Sequence, residues 1–545
     1  MNPDQPGNPG QRPHPVWRTL AFLLLVGAVC ALIMTFPPHW KRGGEDWYPF
    51  PRWSDLGGGE AGMAPDDVAN LLDAYGGEGA DSTALAGDSA ALPDWLTDGG
   101  ASPISGRLNG KGWPEGLRWD REAGLRAAED STFLPNGLHR NLRLSGDSLA
   151  WKDLWAFFEQ MARMEPGDRA VHVLHYGDSQ IEGDRITGEL RRAWQAKWGG
   201  SGPGLVSGVV QVQHLAFNQQ TSDHWQRATS FMQRKPGAAL TDFGLLGTRA
   251  DPVDSAVLAD LPDWARMTFA PRNTGYKGNR TWPEMHLWTG PVAQETPFRV
   301  RSQRDTSWVL EGALPADSDG HRWAIQLKDR PDPTADVVLE IASPPPAIHA
   351  VGFWSRSGIV VHNIPMRGAS GTQFRKMSEG IWGDQIRSLP VGLIVLQFGG
   401  NAVPSITDAA AARRYAVGFG AQIALFRSMF PGVPVLVIGP SDMAIKVGEQ
   451  FETYPMLVAV RDQLKQVARE QHALYWDLFE VMGGPRSMHA WVTSDPPLAG
   501  PDHIHFSPLG ARRVGELLVQ SMEAEWGLWA SAVQRRLNLK TPARP

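Results

Sequence analysis

Residues 170–198, "AVHVLHYGDSQIEGDRITGELRRAWQAKW", decide the fold class. The opening apolar run, residues 170–176, predicts a buried strand. It runs straight into Gly177-Asp178-Ser179-Gln180, after which residues 184–198 carry apolar side chains at three- and four-residue steps, the spacing of a helix. A serine at such a strand-to-helix turn stands above a sheet edge, with helix N-terminal N–H groups beside it for an oxyanion. Taken alone, a Gly-Asp-Ser tripeptide is equally well explained as an Asp/Ser helix cap.

The same alternation recurs on either side. Upstream, "SLAWKDLWAFFEQMARM" places Leu149, Leu154, Phe157, Phe158 and Met161 at helical spacing. Downstream come the strand "GLIVLQFGG", a helix over about 408–429, the strand "VPVLVIGP", a helix over 454–471, the strand "ALYWDL", a loop holding His505 and a final helix. Strands alternating with amphipathic helices predict an α/β fold, a parallel sheet with helices on both faces.

Three further segments supply chemistry at loops that follow strands. "GPDHIHFSPLGARRVGELLVQSM" puts Asp502 and His505 three apart before an amphipathic helix. A nucleophilic serine needs an imidazole base, and the base needs a carboxylate to hold its tautomer and stabilise its cation. Metal binding by His503 and His505 competes, but no local third ligand stands out, and a solvated loop is the plainer alternative. "VGLIVLQFGGNAV" brings Asn401 to the carboxyl end of a strand, where ligands sit in open α/β sheets. "IPMRGASGTQFRKM" offers the Gly371 N–H to the same oxygen. Singly, each is more simply a turn. Asp442, after "VPVLVIGP", shares that sheet edge and is a candidate for substrate contact, with a turn or helix cap as the alternative.

Ser, Gly, Asn and His in this order resemble the four blocks of the SGNH (GDSL-type) esterase superfamily, over residues 149–208 and 348–528. The resemblance implies the three-layer SGNH-hydrolase sandwich. It makes Ser179 the nucleophile, His505 the base and Asp502 its orienter, with an oxyanion hole from Ser179, Gly371 and Asn401. No cofactor and no metal are implied. The first block, "HYGDSQIEGDRITGELRRAW" followed by "WGGSGPGLV", resembles an envelope-associated branch that includes bacterial peptidoglycan O-acetylesterases. Two positions depart from that branch: Gln180 where a His commonly follows the serine, and Ala402 where an acidic residue often follows the asparagine.

Nearly two hundred residues separate Ser179 from Gly371, against about 2–6 for an ordinary βα loop. Residues 209–356 are rich in short alternating runs such as "RMTFAPR", "FRVRSQ" and "DVVLEIAS", which predict an inserted β-sandwich. The same branch carries a β-sandwich resembling carbohydrate-binding modules at this point. Trp282, Trp288, Trp308 and Trp323 are candidates for stacking on sugars, Trp288 foremost, with a place in the sandwich core as the alternative.

The 545 residues carry 52 basic and 58 acidic side chains, net −6, which gives no basic field for nucleic acid. One cysteine, Cys30, excludes intramolecular disulfides and Cys-based metal clusters. The apolar run from Thr19 to Phe36, within residues 17–38, predicts a single transmembrane signal anchor behind a cytoplasmic leader, 1–16. Residues 39–126 predict a flexible Gly/Ala/Asp-rich linker. The SGNH domain is expected over 127–208 and 357–530, split by the insertion at 209–356, with a tail from 531 to 545. With all foldable sequence behind the anchor, the economical placement is the bacterial inner membrane with the catalytic domain periplasmic.

The leading expectation is a membrane-anchored serine esterase that removes O-acetyl groups from an envelope polysaccharide. Two alternatives are an O-acetyltransferase partnered by a membrane-bound acyltransferase, and a non-catalytic envelope glycan-binding protein.

Overall fold

A computed structural model describes residues 40–42, 45–47 and 142–540, apart from 166, 211, 232–238, 273–275, 305–308, 318–321, 328–331 and 333. The expected leader, the span at 17–38, most of the linker and Trp308 lie outside these residues. Among the described residues no helix is long and apolar enough to cross a membrane. The chain divides into two compact units, Met1–Asn70 and Leu71–Pro545. The first contributes a short antiparallel pair, Trp40–Arg42 with Glu45–Trp47.

Five parallel strands form the catalytic sheet: β1 (Val171–Gly177), β2 (Ile359–Pro365), β3 (Val391–Gln397), β4 (Val435–Ile438) and β5 (Leu474–Trp476). Their order is β2-β1-β3-β4-β5, with all four pairings parallel. Alternate residues of β1 face opposite ways: Leu174 and Tyr176 join one buried cluster, Val171 and Val173 the other. The first cluster is completed by α3 (Ala409–Met429), through Phe419, Ile423 and Phe426, and by α4 (Leu457–Glu470), through Val460, Leu464 and Val467. The second is completed by α1 (Ser148–Arg163), α2 (Thr187–Trp198) and α5 (Pro508–Lys540), through Leu154, Phe158, Trp194, Leu518 and Trp529. Fully burying each such side chain contributes about 1.5–3 kcal/mol. The helical periodicity thus predicts the two covered faces. The last helix, however, continues to Lys540, with Val533 still buried, into the stretch read as a tail.

Between α2 and β2 the chain builds two antiparallel sheets. One has the order Val309–Leu314, Thr296–Arg301, Val337–Ala342, Trp264–Pro271, Phe217–Thr221. The other runs Arg322–Gln326, Glu284–Thr289, Ile348–Trp354, Thr248–Pro252, Trp225–Thr229, and Gly204–Val206 also pairs with Ile348–Trp354. The sandwich therefore begins a few residues before 209. Its two sheets enclose one core, including Phe269, Met285, Leu287, Val300, Leu339 and Phe353. The second sheet is covered on its other face as well: Trp288 and Trp354 belong to the catalytic unit's own core cluster with Val360 and Ile364. All six residues of Glu284–Thr289 are consequently buried.

Candidate active site

In the strand order β2-β1-β3-β4-β5, the connections from β1 and from β3 leave on either side of a topological switch point, where open α/β sheets bind ligands. Ser179 follows the carboxyl end of β1 and Asn401 follows that of β3. Two bonds fasten the three strand ends together: the Asp178 N–H donates to the Gln397 carbonyl, 3.2 Å, and the Met366 N–H to the Gly177 carbonyl, 2.7 Å.

Ser179 opens a 3-10 turn, Ser179–Asp184, capped by Asp178, whose side chain accepts from the Gln180 N–H. Ser179 Oγ lies 2.8 Å from His505 Nε2, and His505 Nδ1 lies 2.7 Å from Asp502 Oδ2. An ionised carboxylate only accepts, so the imidazole proton sits on Nδ1 and Nε2 is left to accept from the serine hydroxyl. Asp502 Oδ1 takes the N–H groups of Ile504, 3.0 Å, and His505, 3.1 Å. Burial by itself would raise the Asp502 pKa; the hydrogen bond and charge of His505, with these two N–H groups, hold it below the usual carboxylate value. Ser179 is 7% and His505 8% exposed, so the pair works almost out of water.

Gly371 has φ +75, the left-handed region, and a Cβ there would stand 2.7 Å from the Phe398 ring and 2.8 Å from Phe419. Glycine is required on both counts. Its loop is held from three sides. Tyr415 Oη donates to the Ser370 carbonyl, 2.8 Å; Asn401 Nδ2 donates to the Ala369 carbonyl, 3.1 Å; and Arg367 makes a buried two-toothed ion pair with Glu182, Nη2 to Oε2 2.6 Å. Asn401 is exposed, and an amide nitrogen has two N–H groups, so one remains for a developing oxyanion.

Two residues at this edge, Gln180 and Arg185, have a structural role that the motifs do not assign. Gln180 Nε2 donates to the Ile504 carbonyl, 2.7 Å, inside the histidine loop. Arg185 is buried and donates to carbonyls on both sides of the site: Ser179 at 3.1 Å, Glu182 at 2.9 Å and Phe506 at 2.8 Å. Burial pulls its pKa down to about 10. Together they clamp the nucleophile turn to the loop that carries the base, 326 residues away. The available signal was the density of charge in "IEGDR" immediately after an apolar strand. Asp178 is buried, and burial, outweighing the Gln180 N–H that its carboxylate accepts, lifts it to about 6.

Two expected substrate contacts are placed elsewhere. Asp442 is fully buried and accepts from the Met488 N–H at 2.8 Å, holding the start of the helix Ser487–Val492, so it does not face a ligand. Trp288 is 1% exposed because the sandwich packs this side of its sheet on the catalytic unit, leaving neither ring face for a sugar. Trp282 is buried between the two sheets, and Trp323 packs half-buried against that same core. His503 is stacked on Phe451, centroids 3.7 Å apart, and its ring nitrogens face His489 Nδ1 and the Pro501 carbonyl, each at 3.1 Å. These partners make it a packed member of the loop.

The description GDSL-like Lipase/Acylhydrolase family matches residues 346–513. Among solved structures, "Peptidoglycan O-acetylesterase in action" is similar at 22% identity and TM-score 0.52, covering 70% of this chain and 98% of its own. An acetyl xylan esterase, AlAXEase, is similar at 17% identity and TM-score 0.24, covering 29% of this chain and 79% of its own. A family two carbohydrate esterase from Clostridium thermocellum, in complex with cellohexaose, is similar at 10% identity and TM-score 0.21, covering 58% and 99%. No curated protein matches. The matched segment carries the Gly371, Asn401, Asp502 and His505 blocks, and the serine that completes them stands 2.8 Å from the imidazole; residues 346–513 are thus similar to the GDSL-like lipase/acylhydrolase family, and the site they form with Ser179 has the geometry of a serine ester hydrolase.

Proposed function

We propose that the protein removes O-acetyl groups from a cell-envelope polysaccharide such as peptidoglycan. The observation that carries this reading is that the likeness in fold covers 70% of this chain and 98% of a peptidoglycan O-acetylesterase chain, well beyond residues 346–513 that match the family. In the first half-reaction Ser179 Oγ attacks the acetyl carbonyl carbon while its proton passes to His505 Nε2. The tetrahedral oxyanion takes the N–H groups of Ser179 and Gly371 and the free N–H of Asn401. The C–O bond to the sugar breaks, His505 returns its proton to the sugar oxygen, and Ser179 is left acetylated. Water, deprotonated by His505, then attacks the acyl carbon, and acetate leaves as Ser179 regains its proton. Asp502 keeps the imidazole in the accepting tautomer throughout.

The apolar run at 17–38 would anchor the chain in a bacterial inner membrane, with the catalytic unit on the periplasmic side, where the polysaccharide lies. The test is acetate release by the detergent-solubilised chain from O-acetylated peptidoglycan and from p-nitrophenyl acetate, with Ser179→Ala beside it. Release from both, lost in the variant, is the expected result. Hydrolysis of the small ester without release from the polymer overturns the substrate. Acetyl groups appearing on an added chito-oligosaccharide make the enzyme a transferase, and binding of the polymer without turnover makes it a glycan-binding protein.

A further inference from the structure

A cavity of about 310 Å³ lies where the sandwich meets the catalytic unit, lined by Arg169, Ala170 and His172 on one side and by Glu284, His286, Arg322, Trp354 and Arg356 on the other. It is remote from the reaction. His172 is near the beginning of β1 and Ser179 beyond its end, a separation of roughly 20 Å along an extended strand.

Its charge is unbalanced. Three guanidiniums face one carboxylate, Glu284, which is engaged with Arg356 and accepts from Gln326 Nε2 at 2.5 Å. Arg322 lies over the Trp288 ring, 5.1 Å from its centroid. Its Nη1 donates to the Ser388 carbonyl, 3.3 Å, and its Nη2 to His286 Nδ1, 3.2 Å, while its Nε is buried with no acceptor. Arg169 is exposed, and no carboxylate among the described residues pairs with it. The imidazoles do not add to the charge: burial, followed by the field of Arg322 and other cations, keeps His172 well below the ordinary histidine value and His286 at about 3. A buried N–H without an acceptor is costly, and a guanidinium fork matches the two oxygens of a carboxylate or phosphate. The volume is that of a small-ligand pocket.

We propose that this cavity is a second binding site, which takes an oxyanion group, a carboxylate or a phosphate, carried by a sugar or a free small molecule. The anion bridges Arg169 of the catalytic unit and Arg322 and Arg356 of the sandwich, so it joins the two halves of the molecule at the end of the sheet opposite Ser179. The inference does not depend on the identity of the ester.

The test is calorimetric titration of the full chain, in low-salt buffer without phosphate, with inorganic phosphate and with galacturonate, and with glucose as the neutral control. Saturable binding of at least one anion and none of glucose is expected; phosphate alone, or galacturonate alone, identifies which oxyanion the site prefers. Arg169→Gln and Arg356→Gln, both at exposed positions, should weaken that binding about tenfold each, the effect of losing a charge-assisted hydrogen bond. Both variants should leave hydrolysis of p-nitrophenyl acetate within about twofold of wild type, because neither residue touches the active edge. Absence of saturable binding up to about 50 mM of either anion overturns the proposal, a concentration at which even a weak site would fill. So does binding that survives the double variant, or that Ser179→Ala abolishes.

Discussion

Two buried carboxyl groups, one at the catalytic edge and one on the sandwich, are driven in opposite directions. Asp178 is 5% exposed, receives the Gln180 N–H, and is lifted by burial to about 6. Glu340 is fully buried, and burial would raise it too, but hydrogen bonds from Arg301 and Arg299 bring it to about 2. Arg266 also reaches it, at 2.9 Å. The sandwich compensates its buried charge with three partners, whereas the edge next to Ser179 holds one that is incompletely compensated. Binding and catalytic edges tolerate such local cost because their polar groups are arranged for a reacting ester rather than for one another.

The largest effect that would test this division is on chemistry alone. Ser179→Ala should lower ester hydrolysis by about 10⁴-fold or more, with the thermal midpoint unchanged, measured by p-nitrophenol release and by calorimetry. A comparable fall in stability would mean that the serine is part of the scaffold. Next comes the clamp. Gln180→Ala and Arg185→Met release the histidine loop from the nucleophile turn, and a displacement of about 1 Å costs on the order of 10²-fold in kcat. The loss should fall on kcat more than on KM, and Gln180→Glu, which keeps an acceptor but no N–H for the Ile504 carbonyl, should not restore it.

Asp178→Asn should stabilise. Its folded pKa exceeds the ordinary 3.8, so the native state binds more protons between those values and stability declines as pH rises through that window. The amide removes the buried charge and keeps an acceptor for Gln180. The gain in chemical denaturation should be nearly absent at pH 3, below both pKa values, and reach at most about 3 kcal/mol at pH 8. A gain equal at both pH values would refute the ionisation argument. Glu340→Gln is the counterpart, with opposite sign. Its folded pKa lies below the ordinary 4.5, so its contribution is complete above that value and disappears as pH falls through about 2. Its arginine partners are a quarter to a half exposed, which screens the pairs. The cost at pH 7 should therefore be about 1 kcal/mol, vanishing in acid.

What the sequence determined by itself was local. The strand "AVHVLHY", the turn after it, the helices at 148–163 and 409–429 and the Asp502–His505 pair are each set by side-chain period, by capping, or by a separation of three residues. So were the order of the four blocks and their positions after strands. Long-range placement was not legible. Ser179 and His505 meet across 326 residues, and the Gln180 and Arg185 bonds that hold them join the same distant segments. A period of two separates the faces of a strand but does not say what covers either one. For that reason Trp288, a plausible sugar platform in an alternating run, proves to be sealed against the catalytic unit, and Asp442, at the correct edge, holds a helix instead. The arginine-lined cavity belongs to the same class: Arg169, Arg322 and Arg356 are far apart in sequence, and only the docking of the sandwich on the sheet brings their like charges together.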